Sequence, residues 1–212
     1  MKKWVIFIVS LVVIFILFSL FLPKTLIAPH QNLNKTKMKD KILAVIAFRD
    51  FRDEEYFVPK EILENAGYEV ETASTKKGIA LGINGGEAEA KLLPSEVKVD
   101  DYQAIVFVGG TGMAKELENK NFWELAQIFV QRDKLVAAIC ISPAVLAKAG
   151  VLKNKKATVW TSSLDKSAVQ VLENNGAVYE DKAVVQDGKI ITANGPAAAQ
   201  EFGEKIVEAL NK

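Results

Sequence analysis

The only cysteine of this 212-residue chain lies where a predicted strand turns into a helix. Leu135–Ile139 is an unbroken apolar run of strand length, typical of a parallel strand covered on both faces. Ser142 and Pro143 then suit the N-cap and the first position of a helix. Cys140 would therefore stand beside helix N-terminal amides, which favour the thiolate, the nucleophilic form of cysteine. A buried structural cysteine is the alternative.

Two other predicted strands end in residues that could act together with this thiol. Sites in open α/β sheets form at the carboxyl ends of the strands, so the segments that follow the strands should converge. After the first strand, a charged connector carries Glu54 and Glu55, either of which could supply a carboxyl group. After the third strand come Gly109 and Gly110, where a ligand or another backbone can approach closely. The alternatives are a solvated acidic loop and a plain glycine turn.

Composition narrows the classes of function. The 27 basic and 26 acidic residues give a net charge of +1, which argues against a nucleic-acid partner bound through bulk charge. One cysteine excludes an intrachain disulfide, and the single histidine, His30, excludes a histidine-rich metal site. The glycines at 110 and 112 lack the third glycine of a dinucleotide fingerprint, since Lys115 stands there. We therefore predict no metal and no cofactor.

The order of predicted elements indicates an α/β fold. Strands alternate with helices along the chain, which favours a mainly parallel sheet with helices on both faces. Pro59 is placed in the first turn of the first of these helices, which is predicted to end at Gly67.

The first 38 residues differ from the rest. Trp4 to Leu22 is a run of 19 residues without a charge, which is long enough to span a bilayer, and no small-x-small cleavage site follows it. We predict an uncleaved transmembrane anchor over residues 1–22, a polar tether over 23–38 and one globular domain over 39–212. Lysines flank the apolar run on both sides, so the side of the membrane stays open.

The cysteine turn resembles that of a known family. Ala138-Ile139-Cys140-Ile141-Ser142-Pro143 is similar to the A-x-C-x-G/S-P turn of the DJ-1/PfpI family, within the class I glutamine amidotransferase-like superfamily. The likeness covers about residues 39–212. It implies a flavodoxin-like three-layer sandwich and a homodimer.

The resemblance also assigns roles to individual residues. Glu55 stands four residues before Pro59, as the family's carboxylate does before its proline. Val108, Gly109 and Gly110 resemble the family's P-G-G segment. The backbone amides of Gly110 and Ile141 would then form an oxyanion pocket facing the sulfur.

The chain departs from the family at its histidines. PfpI-type members carry a histidine where Ile141 stands, and DJ-1-type members carry one where Trp160 stands. With His30 in the tether, no Cys-His dyad can form within the domain. Cys140 and Glu55 are therefore the expected catalytic residues, and Gly109, Pro143 and Trp160 are expected in their pocket.

The resemblance implies an enzyme that acts on small reactive carbonyls, of the glyoxalase or protein-deglycase type. Cys140 would add to a small aldehyde or to a glycated protein, and Glu55 would transfer the proton. The alternative is a non-enzymatic redox sensor or chaperone-like protein for oxidative stress, in which Cys140 becomes a sulfinic acid. A cysteine peptidase or amidase is a third, disfavoured hypothesis because the histidine is missing.

Overall fold

The structure is a computed structural model that describes residues 40–212. The predicted anchor over 1–22, the tether over 23–38 and His30 lie outside the described residues. Within residues 40–212, none of the helices has the length and apolar character needed to cross a membrane.

Eleven strands and six α-helices make up the described part of the chain. The strands are β1 (Lys41–Val45), β2 (Arg49–Phe51), β3 (Glu69–Ala73), β4 (Gly78–Gly82), β5 (Glu87–Ala90), β6 (Tyr102–Phe107), β7 (Leu135–Ile139), β8 (Lys156–Ala157), β9 (Val178–Tyr179), β10 (Val184–Asp187) and β11 (Ile190–Ala193). The helices are α1 (Asp53–Asn65), α2 (Thr111–Ala114), α3 (Lys120–Gln131), α4 (Pro143–Lys148), α5 (Ser167–Asn174) and α6 (Ala199–Leu210).

The main sheet has six strands in the order β10-β11-β7-β6-β1-β3. Every neighbouring pair is parallel except β10 with β11, which form an antiparallel hairpin. This arrangement confirms the prediction of a mainly parallel sheet. Strand β7 lies between β11 and β6, so the residue that follows it emerges in the middle of the sheet edge.

Both faces of this sheet are covered, which gives three layers. Along β6, Ile105 and Phe107 belong to the core shared with α3, α4 and α5. Ala104 and Val106 point to the other face and join the core that contains Leu63 of α1 and Phe202 of α6. Alternation along one strand thus feeds two separate cores, as expected for a strand buried on both sides.

The segment between β1 and α1 differs from its prediction. The charged connector contains strand β2, which pairs in parallel with β4 in a small sheet, β2-β4-β5. Helix α1 begins at Asp53, so Pro59 lies inside the helix and is buried, not in its first turn. Three consecutive carboxyl residues open α1, where the helix dipole favours negative charge. Glu55 is therefore held by a helix and not by a loop.

Candidate active site

Cys140 directly follows β7 and is held by backbone contacts on both sides. Its φ angle is +64°, which is uncommon for a residue with a side chain. Its N–H donates to the carbonyl of Ala193 at 2.8 Å, and its own carbonyl accepts from the Trp160 N–H at 2.8 Å. Helix α4 starts at Pro143, although the Ser142 side chain makes no capping hydrogen bond. The half-buried thiol thus stands on a turn of defined geometry.

Glu55 approaches this thiol from the first turn of α1. Its side chain is completely buried. Oε2 accepts a hydrogen bond from the Gly109 N–H at 3.1 Å, whereas Oε1 has no hydrogen-bond partner among residues 40–212. Buried carboxyl oxygens are normally paired, and an unpaired one points to a proton, a water or a ligand.

Gly109 lies directly beside both reactive side chains. A Cβ atom at this position would lie 2.6 Å from Cys140 Cβ and 2.6 Å from Glu55 Oε2. Both distances are far below van der Waals contact, so no larger residue fits without a shift. The absence of a side chain is what lets the thiol and the carboxyl group face each other.

Two backbone amides also act on the sulfur. The N–H groups of Gly110 and Ile141 interact with the Cys140 side chain and lower its pKa. Gly110 has φ +109°, and a Cβ there would meet the Asp50 carbonyl oxygen at 2.5 Å. The structure therefore brings together the four groups that the sequence placed at this site: Cys140, Glu55 and these two amides.

Burial dominates the protonation of the pair. Desolvation raises the pKa of Glu55 to about 7, against the opposing effects of Cys140 and the Gly109 amide. Desolvation, followed by the charge of Glu55, raises the pKa of Cys140 to about 12 in spite of the two amides. The amides do favour the thiolate, as expected, but the thiolate does not form near neutral pH, because burial and then the charge of the facing Glu55 outweigh them.

Two ionisable groups this close titrate as a pair. The first proton leaves near pH 7 and the second is retained far above that. Over the interval between, the remaining proton lies on the Cys140 thiol beside the Glu55 carboxylate. Such a pair can supply both a nucleophile and an acid: the Cys140 sulfur attacks, and the proton that it gives up is available for transfer to the substrate.

Both side chains open onto a pocket of about 460 Å³. Its lining consists of Arg52, Glu55, Ile83, Gly110, Thr111, Ala114, Leu117, Cys140, Ile141, Trp160, Asp165, Ser167 and Pro196. Trp160 lines the pocket, as expected. Pro143 does not, because it is buried in the first turn of α4, and Gly109 lies between the reactive groups and not at the pocket surface.

Several lining residues were not anticipated. Ile83 belongs to the turn between β4 and β5, a glycine-rich stretch in which its position carried no signal. Asp165 and Ser167 precede or begin α5, more than twenty residues beyond the cysteine. Within residues 40–212, no three His, Cys, Asp or Glu side chains form a group that could hold a metal ion.

A mainly parallel α/β sandwich with a cysteine at a strand-to-helix turn and a buried glutamate facing it defines a recognisable class of proteins. The model of the DJ-1/PfpI family matches residues 40–209. The chain therefore belongs to the DJ-1/PfpI family.

Individual relatives agree with this assignment. An uncharacterized protein of Methanocaldococcus jannaschii is 42% identical over 199 residues, covering 93% of this chain and 96% of that protein. Deglycase PfpI of Pyrococcus furiosus is 32% identical over 170 residues, covering 80% and 99%. The crystal structure of a ThiJ/PfpI domain protein from Brachyspira murdochii superposes with a TM-score of 0.77 at 36% identity, covering 82% and 98%.

The last two relatives consist almost entirely of the region they share with this chain. Residues 39–212 also form one compact unit with their own cores. Because family members exist that contain little beyond this region, we expect the Lys39–Lys212 fragment to fold.

Proposed function

We propose that this protein is a cysteine enzyme that acts on small reactive carbonyls, of the glyoxalase or deglycase type. The observation that carries the proposal is the completely buried Glu55 carboxyl, with a pKa of about 7, facing Cys140 across Gly109. The name deglycase, borne by the Pyrococcus furiosus relative, supports the same choice. An acid that exchanges its proton near neutral pH is suited to proton transfer in both directions.

The first step is addition of the Cys140 sulfur to the aldehyde carbon. The new C–S bond forms as the C=O π bond opens, and the thiol proton ends on the former carbonyl oxygen, giving a hemithioacetal. The amides of Gly110 and Ile141 stabilise the negative charge that develops on this oxygen. With a glycated amine, the thiol displaces the amine, which leaves with the proton, and the same hemithioacetal results.

The second step is an internal redox reaction of an α-oxoaldehyde. Glu55 takes the hydrogen of the former aldehyde carbon as a proton and returns it to the neighbouring ketone carbon, while the hydroxyl proton of the hemithioacetal moves to the ketone oxygen. The first carbon is thereby oxidised to a thioester and the second is reduced to an alcohol. Water then hydrolyses the thioester to a 2-hydroxy acid and frees Cys140, so no external oxidant is needed.

Lactate formation from methylglyoxal tests this proposal. The Lys39–Lys212 fragment should produce lactate, Cys140→Ala should reduce turnover to the background rate, and Glu55→Gln should slow it by about 10²- to 10⁴-fold. Circular dichroism of both variants checks that they fold. No turnover by the wild-type fragment, with ready oxidation of Cys140 by peroxide seen in mass spectrometry, would instead support the redox sensor.

We also propose that residues 1–22 anchor the protein to a membrane. The uncharged run from Trp4 to Leu22 supports this. The Methanocaldococcus jannaschii match covers 93% of the chain, more than residues 40–212 can account for, so it continues into the preceding segment. The full chain should stay with the membrane fraction after carbonate extraction, and the Lys39–Lys212 fragment should not. Protease accessibility in intact cells would give the side.

Family resemblance further leads us to propose a homodimer. Light scattering on the Lys39–Lys212 fragment should give about twice the mass of one chain. A single-chain mass at all concentrations would exclude it.

A further inference from the structure

The pocket in front of Cys140 exposes two large apolar side chains. Trp160 is 37% exposed and Ile83 is 39% exposed, and both line the pocket. We call these two side chains the pocket walls. Exposed apolar surface of this size gains stability when a ligand removes it from water, in proportion to the area covered.

Backbone contacts fix the Trp160 wall relative to the sulfur. The Trp160 N–H donates to the carbonyl of Cys140 at 2.8 Å. Two residues earlier, the Thr158 N–H donates to the Thr192 side chain at 2.9 Å. The indole ring lies over Gly195, where an added Cβ would be 3.7 Å from Cδ1. The ring therefore has a defined place beside the thiol.

The Ile83 wall is fixed relative to the carboxyl group. The Ile83 N–H donates to the carbonyl of Phe51 at 2.9 Å. Asp53, which is 8% exposed, accepts hydrogen bonds from the N–H groups of Asn84 at 2.8 Å and Gly86 at 2.7 Å. Because Asp53 and Glu55 share the first turn of α1, the wall and the acid are attached to the same helical turn.

Apart from Glu55, the two charged residues of the lining, Arg52 and Asp165, have polar partners. Arg52 Nε lies 3.0 Å from Glu54 Oε2, and Asp165 accepts a hydrogen bond from the Ser167 N–H at 2.8 Å. Most of the remaining lining is apolar, namely Ala114, Leu117, Ile141 and Pro196, and its hydroxyl side chains are Thr111 and Ser167. At about 460 Å³, the pocket has room for far more than the three carbons of methylglyoxal.

We infer that the pocket selects carbonyl substrates whose non-reacting group is aromatic or branched aliphatic, and that Trp160 and Ile83 are the specificity-determining residues. This inference rests on the proposed function for its chemistry, and it names the substrate class. The reacting carbonyl lies between Cys140 and Glu55, and the apolar group lies between the walls. The reaction balances as for methylglyoxal, and phenylglyoxal yields mandelate.

Turnover of two α-oxoaldehydes tests the selection. The Lys39–Lys212 fragment should show a kcat/KM for phenylglyoxal at least tenfold above that for methylglyoxal. Trp160→Ala should lower the ratio of kcat/KM for phenylglyoxal to kcat/KM for methylglyoxal about tenfold, and Ile83→Ala should lower this ratio to a smaller extent. Leu164→Ala is the matched control, because Leu164 is 97% exposed and lies outside the lining. Equal preference for both substrates, or an equal loss for both in Trp160→Ala, would overturn the inference.

Binding to the inactive Cys140→Ala fragment separates this inference from the proposed function. The fragment contains two tryptophans, Trp123 and Trp160, so its NMR spectrum has two indole N–H signals, assigned by Trp160→Ala. Acetophenone should shift the Trp160 signal at concentrations where acetone does not. If this holds while neither oxoaldehyde is turned over, the pocket selects apolar carbonyl compounds and the proposed reaction is wrong. If both are turned over and acetophenone leaves Trp160 unchanged, only the selection is wrong.

Discussion

The two sides of the reactive pair are built in different ways. Cys140 is placed through its main chain: the strand before it, the helix after it, a left-handed backbone angle between them, and backbone hydrogen bonds to Ala193 and Trp160. Glu55 is placed through side chains: its own carboxyl accepts from the Gly109 N–H, and Asp53 in the same helical turn accepts from the N–H groups of Asn84 and Gly86. The sulfur therefore depends on main-chain geometry, and the acid depends on buried carboxyl contacts.

This difference predicts which substitutions should disturb the fold and which should disturb only the chemistry. A change at Cys140 should alter chemistry with little effect on the fold. A change in the first turn of α1 should alter both the chemistry and the stability of the fold. This turn contacts the small sheet through Asp53 and also carries the catalytic acid, Glu55. Three measurements of stability on the Lys39–Lys212 fragment sharpen this contrast.

The largest expected effect is the pH dependence caused by Glu55. Its pKa is 4.5 in the reference state and about 7 in the folded protein, so the folded state holds the proton more tightly. The stability that this protonated carboxyl group contributes is fully present below about pH 4.5 and is lost as the pH rises through 7. The free energy of unfolding of the wild type, relative to that of Glu55→Gln, should fall by about 3 kcal/mol from pH 4 to pH 8. Urea denaturation at a series of pH values measures it.

Parallel pH curves for the two proteins would show that Glu55 is not perturbed by burial. The electrostatic difference that we describe between the Glu55 side and the Cys140 side would then be wrong. Cys140→Ala serves as the comparison from the other side and should retain a pH dependence of the same sign, since desolvation of Glu55 is its first cause.

Asp53→Asn should have an intermediate effect. An amide can accept only through its oxygen, so one of the two N–H groups, of Asn84 or Gly86, would face an NH₂ group. We expect a loss of about 2 kcal/mol in the free energy of unfolding. Glu61→Gln is the matched control, since Glu61 is an exposed carboxylate of the same helix. Equal losses of unfolding free energy in the two variants would show that the hydrogen bonds of Asp53 to Asn84 and Gly86 add no particular stability.

The smallest expected effect is at the cysteine itself. Cys140 has φ +64°, a conformation that glycine adopts without the steric cost of a Cβ. Cys140→Gly should therefore be about 1 kcal/mol more stable than Cys140→Ala, as measured by denaturation. If the alanine variant is the more stable one, the turn is not under local backbone strain.

The same contrast explains what could be predicted from the sequence. The run from Leu135 to Ile139 and the helix start at Pro143 depend on apolar pattern and local propensity, and the structure has both where they were predicted. The parallel three-layer sandwich follows from the alternation of elements and is also confirmed.

The α1 side could be predicted only in part. Strand β2 is three residues long and charged, and it exists because it pairs with β4, a partner about thirty residues away. The start of α1 was placed too late because a proline usually marks a first turn, whereas Pro59 is buried deeper in this helix. The raised pKa of Cys140 has a related cause, since it depends first on the burial of Cys140 itself and then on the charge of Glu55, and both come from tertiary packing.

The tight fit around Gly109 restricts how this site can change. With Cys140 Cβ and Glu55 Oε2 each 2.6 Å from where a methyl group would be, even the smallest enlargement at this position displaces the nucleophile or the acid. Substitutions at the indole and isoleucine that border the pocket face no such limit. New substrates can therefore be reached, by evolution or by engineering, through the rim of the cavity while its reactive centre stays the same.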